Sequence, residues 1–437
     1  MKKRLLVICY PLDWHWALSF EFFRYKQHQD IDYEILDLSF AGERGFKVFL
    51  KFLLGGSILQ RKCLQAWRSD KVELLDFKVN YKDIEKRTVK RVQELFGTGF
   101  KHLDETLNTI SERVATLAVD PREHLPVIRD EFFKSETTKA ILTQVDASRY
   151  SEITTVNGRF TKNAEVVTWA KSQNLPLTLL EFGASGEKFE IFTTSPHSFE
   201  EIEDKINSFW TSYENKYREK IAQGYIDNLI DKKGYSSINW RSYMKPGSVV
   251  KEGARKICVF YVSTELEYFG LPNNIPKGNF KNQVEAFRGL VSLLDPNLWT
   301  IYLRMHPEMP GRNRGNEQLL WQEFKSFSHI VIVEPNSSID SLELGELSDL
   351  AAGFGSNIAM ELVARGKKNV ITLGPAPWNR LLPRNFTPSL EHLSRHLKSG
   401  IPEISVSDIY PWALFMSRFG ENFKVLKFDK KTSSWKF

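Results

Sequence analysis

The alternation of short apolar runs with longer helix-like stretches is the feature that most constrains how this chain folds. Strands that alternate with helices are typical of parallel sheets covered by helices. The pattern occurs in two blocks, so two such domains are predicted. The predicted strands are 5–10, 33–38, 152–156, 176–180, 256–262, 299–303, 330–333, 349–352 and 369–373, and the clearest predicted helices are 162–172, 198–231, 282–294, 317–327 and 357–364.

An irregular segment at 235–253, which contains Gly and Ser, predicts the domain boundary. We expect a first domain over 1–240 and a second over 250–437. Helix-like material over about 42–145 is longer than a Rossmann crossover needs, so it is interpreted as an insert. The predicted fold class is therefore α/β, with two Rossmann-like domains facing a central cleft and a helical insert in the N-terminal domain.

Composition excludes several classes of protein. A chain of 437 residues with 42% hydrophobic residues is too long for a single core. Its net charge of +6 is too small to indicate nucleic-acid binding. The three cysteines (Cys9, Cys63 and Cys258) are scattered, which argues against a disulfide framework or a cysteine metal site and favours a reducing, cytoplasmic compartment. No Asp-x-Asp follows a strand of the first domain, so no metal is predicted.

The chain shows neither a signal peptide nor a membrane span. The apolar run 5–10 is short and stops at Pro11 without a cleavage motif, and no stretch reaches the roughly 20 apolar residues of a span. Segment 46–67 mixes lysine and arginine with phenylalanine and leucine. It suits either a helix lying on the inner face of a membrane or a packed amphipathic pair broken at Gly55-Gly56.

Two predicted strand ends carry side chains suited to a nucleotide phosphate. One offers a cation and an imidazole before a stiffening proline, and the other offers a glycine turn, a hydroxyl and a helix N-terminus. Ligands of open α/β sheets bind outside the carboxyl ends of strands, although an ordinary turn and an ordinary helix cap are the alternatives. The predicted nucleotide-binding residues are Arg304, His306, Pro307, Gly355, Ser356, Asn357 and Glu361.

Five short motifs follow one another in the order of a known enzyme family. They are Asn157-Gly158-Arg159, Glu181-Phe182-Gly183, Ser263-Thr264-Glu265-Leu266-Glu267, Arg304-Met305-His306-Pro307, and Ser356-Asn357 with Glu361. Over about 150–375 this order resembles the bacterial capsule-polysaccharide glycosyltransferases of GT-B fold. That family includes the Kdo transferases and, more distantly, the bacterial sialyltransferases. The match at 5–10 is weaker, and the helical insert is not covered.

The resemblance implies roles for the second-domain motifs. In such enzymes the His-Pro and Ser motifs are associated with the CMP of a CMP-activated sugar, which implies that His306 contacts the nucleotide and that Ser356 and Asn357 contact its phosphate. Glu361 is similar to the helix acidic residue that holds a ribose hydroxyl in many GT-B enzymes. The implied donor carries an acidic sugar such as Kdo or a sialic-acid-like sugar, and no separate cofactor is implied.

Glycosyl transfer also needs a carboxylate, as a base for inversion or as a nucleophile for retention. Glu181 follows an apolar run, and Gly183 leaves room for substrate. Glu265 and Glu267 follow the first strand of the second domain and compete for this role. An exposed strand-ending glutamate is the alternative for Glu181. The chain also lacks the aspartate that is frequent in the family at this strand tip, so the stereochemical outcome stays open.

Other residues at strand ends are candidates for binding the donor sugar or the acceptor. An arginine fork suits a carboxylate, and tryptophan faces suit sugar rings, although both tryptophans after the first strand also suit packing against a helix. The candidates are Asp13, His15, Asn157, Arg159, Ser263 and Thr264, and the arginines expected to meet a phosphate or an anionic glycan are Arg312, Arg314, Arg380 and Arg384.

The sequence thus predicts a metal-independent glycosyltransferase of capsule polysaccharide biosynthesis. Its partners would be a CMP-sugar donor, a glycan or lipid-linked glycan acceptor and a membrane surface, without nucleic acid. A GT-B sugar-nucleotide epimerase or a teichoic-acid-type phosphate-polymer transferase would use the same fold. A non-catalytic glycan-assembly protein is the third alternative, because it needs no carboxylate at the site.

Overall fold

A computed structural model describes most of the chain, and its contacts divide into two compact units. Unit 1 comprises the described residues of 1–196 together with those of 419–437, and unit 2 comprises the described residues of 198–418. The described residues are 3–10, 12–27, 32–43, 57–98, 109–110, 122–196, 198–231, 255–263, 280–307, 321–429, 432 and 434–437.

Unit 1 is built on a seven-stranded sheet of order β3-β2-β1-β4-β5-β6-β12. The first five strands are parallel, and the last two are antiparallel to their neighbours. The strands are β1 (Lys3–Ile8), β2 (Tyr33–Asp37), β3 (Glu73–Leu75), β4 (Tyr150–Val156), β5 (Leu177–Phe182), β6 (Lys188–Phe192) and β12 (Glu421–Asn422). The helices are α1 (Asp13–Gln27), α2 (Ile58–Ser69), α3 (Tyr81–Thr98), α4 (Leu125–Leu142) and α5 (Thr161–Ser172).

The strand order of unit 1 indicates which edge of its sheet suits a ligand. Leu5, Leu6, Val7 and Ile8 of β1 are buried, as expected for a central strand covered on both faces. The parallel order 3-2-1-4-5 is that of a Rossmann-like unit, in which the chain reverses direction across the sheet between its first and fourth strands. The carboxyl ends of β1 and β4 therefore flank the crevice where such folds bind ligands.

The predicted insert is partly a component of this sheet. Helices α2, α3 and α4 confirm its helical character, but β3 lies within it and pairs in parallel with β2. The sequence pattern missed β3 because the strand has only three residues and none is buried. Residues 42–145 thus contribute the third strand of the Rossmann-like unit as well as helices.

Unit 2 contains a five-stranded parallel sheet of order β9-β8-β7-β10-β11, again 3-2-1-4-5 in chain order. Its switch point lies between β7 and β10. The strands are β7 (Lys256–Tyr261), β8 (Trp299–Arg304), β9 (Ile330–Val333), β10 (Leu350–Gly353) and β11 (Val370–Thr372). The helices are α6 (Phe199–Ser212), α7 (Asn215–Ile230), α8 (Gln283–Leu293), α9 (Ser341–Leu347), α10 (Ile358–Ala364), α11 (Leu390–Ser399) and α12 (Tyr410–Arg418).

Most predicted elements of unit 2 are present, with three differences. The stretch 198–231 forms two helices, because the chain is extended at Tyr213 and Glu214. In place of a helix over 317–327, the described part forms a short 3-10 helix at Gln322–Ser326. Helices α9, α11 and α12 were not predicted. The α/β class and the two Rossmann-like units, which are the components of a GT-B fold, agree with the sequence prediction.

The domain division differs from the predicted ranges 1–240 and 250–437. Helices α6 and α7 group with unit 2 because α12 packs against them, with the Phe209 and Phe415 ring centroids 5.8 Å apart and a hydrogen bond of 2.6 Å from Tyr410 Oη to Gln223 Oε1. Residues 419–437 group with unit 1 instead. The predicted linker over 235–253 lies outside the described residues.

The C-terminal segment is fixed to unit 1 by a buried carboxylate. Glu21 of α1 has no exposed surface, and it accepts backbone N–H bonds from Lys424 at 2.6 Å, from Val425 at 2.9 Å and from Leu426. Three donors around one carboxylate compensate for removing its charge from water. Trp435 of the same segment stacks on Phe182, with their ring centroids 5.5 Å apart.

Only part of the predicted membrane segment 46–67 is described. In α2, Leu59, Cys63 and Trp67 are buried, and the Trp67 ring lies 5.8 Å from Trp16 and 5.7 Å from Phe20. The apolar side of α2 is therefore used for packing, as the amphipathic alternative expects, and Gly55-Gly56 lies outside the described residues. Within the described part of the chain, no helix is both long and apolar enough to span a bilayer.

Candidate functional site

Two predicted residues meet at the carboxyl edge of the unit 1 sheet. Asn157 directly follows β4, Glu181 lies near the end of β5, and the Asn157 Nδ2 atom donates a hydrogen bond of 2.6 Å to Glu181 Oε2. Asn157 is 2% exposed, whereas Glu181 is half-buried. The second carboxylate oxygen, Oε1, accepts the Phe182 N–H at 3.1 Å. The carboxylate is thus held in one orientation beside the switch point.

The Asn157 backbone has a conformation that few side chains adopt. Its φ is +62°, and Gly158 follows with φ +86°. Asparagine and glycine tolerate this left-handed region best, so the Asn-Gly pair makes a tight turn at the end of β4. Arg159 follows the turn: its N–H bonds to Asn157 Oδ1 at 3.2 Å, and its guanidinium lies 4.9 Å from the Phe160 ring centroid.

A second carboxylate, which the sequence pattern did not identify, lies beside Glu181. Glu190 of β6 pairs directly with Glu181 across the antiparallel ladder. Directly opposed residues project to the same face of a sheet, with Cβ atoms roughly 5 Å apart. Glu190 is half-buried, and its Oε1 accepts the Ile191 N–H at 3.1 Å. Only the register of β5 with β6 reveals this pair.

The predicted acceptor loop after the first strand is a helix. Asp13, Trp14, His15 and Trp16 form the first turn of α1. Asp13 accepts a hydrogen bond of 2.5 Å from Ser57 Oγ, the N-cap of α2, so its carboxylate joins two helices. Trp16 packs against Trp67, which confirms packing for that tryptophan, whereas Trp14 is half-buried and its ring lies 6.1 Å from Phe182.

His15 is buried and is not available to an acceptor at the surface. It has no exposed surface, and neither ring nitrogen has a hydrogen-bond partner among the described residues. The nearest rings are Trp14 at 4.1 Å and Tyr10 at 5.5 Å between centroids. Burial, with a smaller effect of the nearby Lys162 charge, lowers the pKa of His15 to about 3. The imidazole is therefore neutral at physiological pH.

At the switch point of unit 2, the ends of β7 and β10 are bonded to each other. Ser263, two residues past β7, donates from its Oγ to the Phe354 carbonyl oxygen at 2.7 Å. Gln283, at the start of α8, also holds this residue: its Oε1 accepts the Ser263 N–H at 3.0 Å, and its Nε2 donates to the Ser263 carbonyl at 3.2 Å. Ser263 therefore shapes the edge, and Gln283 is a positioning residue that sequence reasoning missed.

Arg304 is enclosed by groups of its own unit, and its contact with a phosphate stays a prediction. Arg304 is 2% exposed, donates from Nε to Ser341 Oγ at 2.8 Å, and donates from Nη1 to the Glu334 carbonyl at 2.6 Å. Its guanidinium thus connects the ends of β8 and β9 to α9. His306 and Pro307 lie just beyond it and are half-buried.

The loop after β10 has the features of a ligand-binding turn. Gly355 has φ +82°, and a Cβ there would lie 2.4 Å from the Pro375 carbonyl oxygen, so only glycine fits. Ser356 is half-buried and Asn357 is exposed, and neither side chain forms a hydrogen bond with the described residues. Asn357 occupies the N-cap of α10 without a side-chain cap bond, so simple capping does not account for it. Glu361 lies half-buried in α10.

Of the remaining predicted residues, the structure describes only Arg380 and Arg384. Thr264, Glu265, Glu267, Arg312 and Arg314 lie outside the described residues. Arg380 forms ion pairs with Glu200, Glu203 and Asp204 at the start of α6, so its charge is compensated. Arg384 is exposed and lines a separate cavity near α11.

Comparisons with known proteins find similarity only at the level of structure. No protein-family model matches the chain, and no curated protein matches it. A structural match to KpsC, a β-Kdo 2,4 transferase of Thermosulfurimonas dismutans, has 15% identity and a TM-score of 0.38, and covers 61% of this chain and 87% of that one.

Two further solved structures cover nearly the whole chain. The UDP-GlcNAc 2-epimerase of Methanocaldococcus jannaschii, in complex with UDP-GlcNAc and UDP, has 13% identity and a TM-score of 0.31, with coverage of 93% and 97%. A glycosyltransferase of Rickettsia africae has 11% identity and a TM-score of 0.26, with coverage of 95% and 93%. Since one fold hosts many reactions, the function of this chain has to be inferred from its site residues.

Proposed function

We propose that this protein is a GT-B glycosyltransferase that uses Glu181 as its catalytic carboxylate. The observation that carries the proposal is the hydrogen bond between Asn157 and Glu181 beside the switch point of a Rossmann-like unit. A half-buried carboxylate held by a side-chain amide is ready to accept a proton from an acceptor hydroxyl or to attack an anomeric carbon. Glu190, opposite it in the ladder, is a second carboxylate on the same face of the sheet.

We assign the nucleotide-sugar donor to the switch-point edge of unit 2. Ser356 and Asn357 support this assignment, because their polar side chains are not used within the described structure and follow a turn that only glycine can make. His306 lies past the end of the neighbouring strand β8. Arg304 acts here as a positioning residue that fixes the strand ends, rather than as a phosphate ligand.

We infer a CMP-linked acidic sugar as the donor and a surface glycan as the acceptor. This finer assignment depends on the order of the sequence motifs, from Asn157-Gly158-Arg159 to Ser356-Asn357. Thermal unfolding with CMP, CDP, UDP and GDP tests the donor. A ligand at a hundred times its dissociation constant adds about 2.7 kcal/mol to the free energy of unfolding. Stabilisation by UDP or GDP but not by CMP would show that the assignment is wrong.

Product analysis separates the transferase from the other enzymes of this fold. A transferase lengthens an acceptor glycan, whereas an epimerase returns an isomer of the nucleotide sugar and a phosphate-polymer transferase leaves a phosphodiester in the product. A non-catalytic assembly protein forms none of these products. An isomerised donor without a lengthened glycan would overturn the transferase proposal while leaving nucleotide binding intact.

Membrane association of the acceptor site remains a separate proposal. The apolar side of α2 is used for packing, so the proposal concerns Lys47, Lys51 and the neighbouring phenylalanines. These residues lie outside the described part of the chain. Flotation with anionic and neutral liposomes, repeated on a Lys47→Glu/Lys51→Glu variant, tests it. Equal absence of binding to both kinds of liposome would contradict it.

A further inference from the structure

A cavity of about 400 Å³ lies in unit 2, away from the switch point. The switch point is between β7 and β10, whereas the cavity lies beyond the opposite edge of β11. Its polar lining comes from Arg384, His392 and His396, and its apolar lining comes from Phe386 and three prolines. This volume is in the range of small-molecule sites.

The wall that carries Arg384 and Phe386 is fixed by hydrogen bonds. Phe386 forms a parallel bridge with Thr372 of β11, supported by the Thr372 N–H to the Asn385 carbonyl at 3.0 Å. Asn385 is buried, and its Nδ2 donates to the Val370 carbonyl at 3.1 Å and to the Pro402 carbonyl at 2.7 Å. The cavity therefore exists before a ligand arrives, which reduces the entropy lost on binding.

The two histidines project from one face of α11 because they are four residues apart. Each ring is held through its Nδ1 atom: His392 pairs with Ser389 Oγ at 2.9 Å, and His396 pairs with Thr387 Oγ1 at 3.1 Å. With Nδ1 engaged in both rings, Nε2 is the atom that each histidine offers to a ligand. His392 is exposed and His396 is half-buried, so a ligand can reach both.

The charges around the cavity favour an anion over a metal ion. Arg384 is exposed and has no hydrogen bond or ion pair with any described residue, and no carboxylate lines the cavity. Burial, His392 and Arg395 together lower the pKa of His396, which indicates surroundings without a compensating negative charge. Paired histidines at this spacing also suit a metal, but no group of three or more metal-ligand side chains occurs among the described residues.

We propose that this cavity binds the phosphate group of a small phosphorylated molecule. The guanidinium of Arg384 would bind two phosphate oxygens through parallel N–H bonds, and the histidine Nε2 atoms would contact the remaining oxygens. Phe386 and the prolines would contact the apolar or ring portion of the same molecule. The proposal goes beyond the transferase function and does not depend on it.

Phenyl phosphate and inorganic phosphate are suitable probes for calorimetric titration of the full chain. We expect saturable binding that is tighter for phenyl phosphate, because its ring can contact Phe386. Arg384→Gln should weaken it by about tenfold or more, the loss expected for one charge-assisted pair. Arg288→Gln is the matched control, since Arg288 is an exposed arginine of α8 in the same unit that pairs with Glu323 and does not line the cavity. The dissociation constant of this control variant for phenyl phosphate should lie within about twofold of that of the parent protein.

Two further measurements keep the outcome decisive. The double variant His306→Ala/Ser356→Ala alters the proposed donor site at the switch point of unit 2 and should leave the affinity for phenyl phosphate unchanged. Loss of phenyl phosphate binding in this variant would place the phosphate at the switch point and overturn the proposal. Equal affinities of the Arg384→Gln and Arg288→Gln variants for phenyl phosphate would also overturn it. Zinc titration distinguishes the metal alternative: stoichiometric zinc binding that His392→Asn abolishes, without phosphate binding, would replace the proposed ligand by a metal.

Discussion

Asn157 donates a hydrogen bond of 2.6 Å to Glu181, and this joins the ends of the neighbouring parallel strands β4 and β5, beside the switch point of unit 1. The amide is buried and the carboxylate is half-buried. The carboxylate accepts this bond and the Phe182 N–H at 3.1 Å, so both of its oxygens are held. The pair is the arrangement on which the proposed catalytic role depends.

Glu181→Gln should abolish most turnover and leave the fold unchanged. The amide has nearly the shape of the carboxylate but cannot accept a proton or form a glycosyl intermediate, so we expect a loss of about 10²- to 10⁴-fold. Donor binding, measured by the thermal shift with the nucleotide, should stay the same. Glu190→Gln is the comparison, and it should retain activity within about tenfold. Equal losses in both variants would mean that the two carboxylates act together.

Asn157→Gly tests the positioning role of the amide without straining the backbone. Glycine accepts the φ of +62° but removes the hydrogen bond to Glu181. We expect turnover to fall by about 10- to 100-fold while the Michaelis constant for the donor changes little, since removal of a single hydrogen bond to a charged group costs about 1.5 to 3 kcal/mol. A rise in the Michaelis constant with unchanged turnover would instead assign Asn157 to substrate binding.

Gly355→Ala should disrupt the loop after β10 and eliminate the nucleotide-dependent thermal shift. The added Cβ meets the Pro375 carbonyl at 2.4 Å, in addition to the strain of a positive φ. Gly366→Ala is the matched control, because its φ is +86° and a Cβ there would meet nothing within 4 Å. In the control variant, backbone strain should lower the free energy of unfolding by about 1 to 2 kcal/mol, and the nucleotide-dependent thermal shift should remain. Loss of the shift in both variants would contradict a local role for Gly355.

The free energy of unfolding should decrease as the pH falls from about 6.5 toward 3, because His15 binds a proton in the unfolded state but not in the folded state. Its folded pKa is about 3, whereas the unfolded chain binds a proton near the ordinary value of 6.5. In this window the unfolded state holds more protons, so stability falls with decreasing pH by at most about 1.4 kcal/mol per unit from this group. Denaturant unfolding of His15→Phe should show a flatter pH dependence. An unchanged slope would show that His15 does not titrate in this way.

Glu21→Gln should loosen the C-terminal segment. Replacing the carboxylate places an amide group against backbone donors in a buried position, at a cost of about 3 kcal/mol. Limited proteolysis should then cleave within 419–437 more rapidly than in the parent. Glu187→Gln is the control, because Glu187 accepts a bond from the Phe428 N–H in the same segment but is exposed. Similar cleavage rates for the two variants would refute the anchoring role.

The amino-acid sequence by itself determined the two Rossmann-like units and two of the turns at their strand ends. Buried parallel strands such as β1 and β7 are nearly continuous apolar runs, so they can be predicted from the sequence alone. The Asn-Gly turn before Arg159 and the Gly-Ser-Asn turn at 355–357 are readable for a related reason, because a left-handed turn demands particular residue types. The strand β3 was missed, since a three-residue edge strand leaves no such pattern.

Only the tertiary structure decided which polar residues remain available for chemistry. Arg304 donates hydrogen bonds to Ser341 and to the Glu334 carbonyl. Arg380 forms ion pairs with acidic residues at the start of α6. Neither set of contacts is visible in the sequence. Glu190 becomes a candidate only because the β5–β6 register places it opposite Glu181. Arg384 meets His392 and His396 because the segment after β11 returns along the sheet edge. Partners that are distant in sequence leave no local sequence pattern. The burial and the hydrogen-bond partners of these polar residues therefore became known only from the tertiary structure.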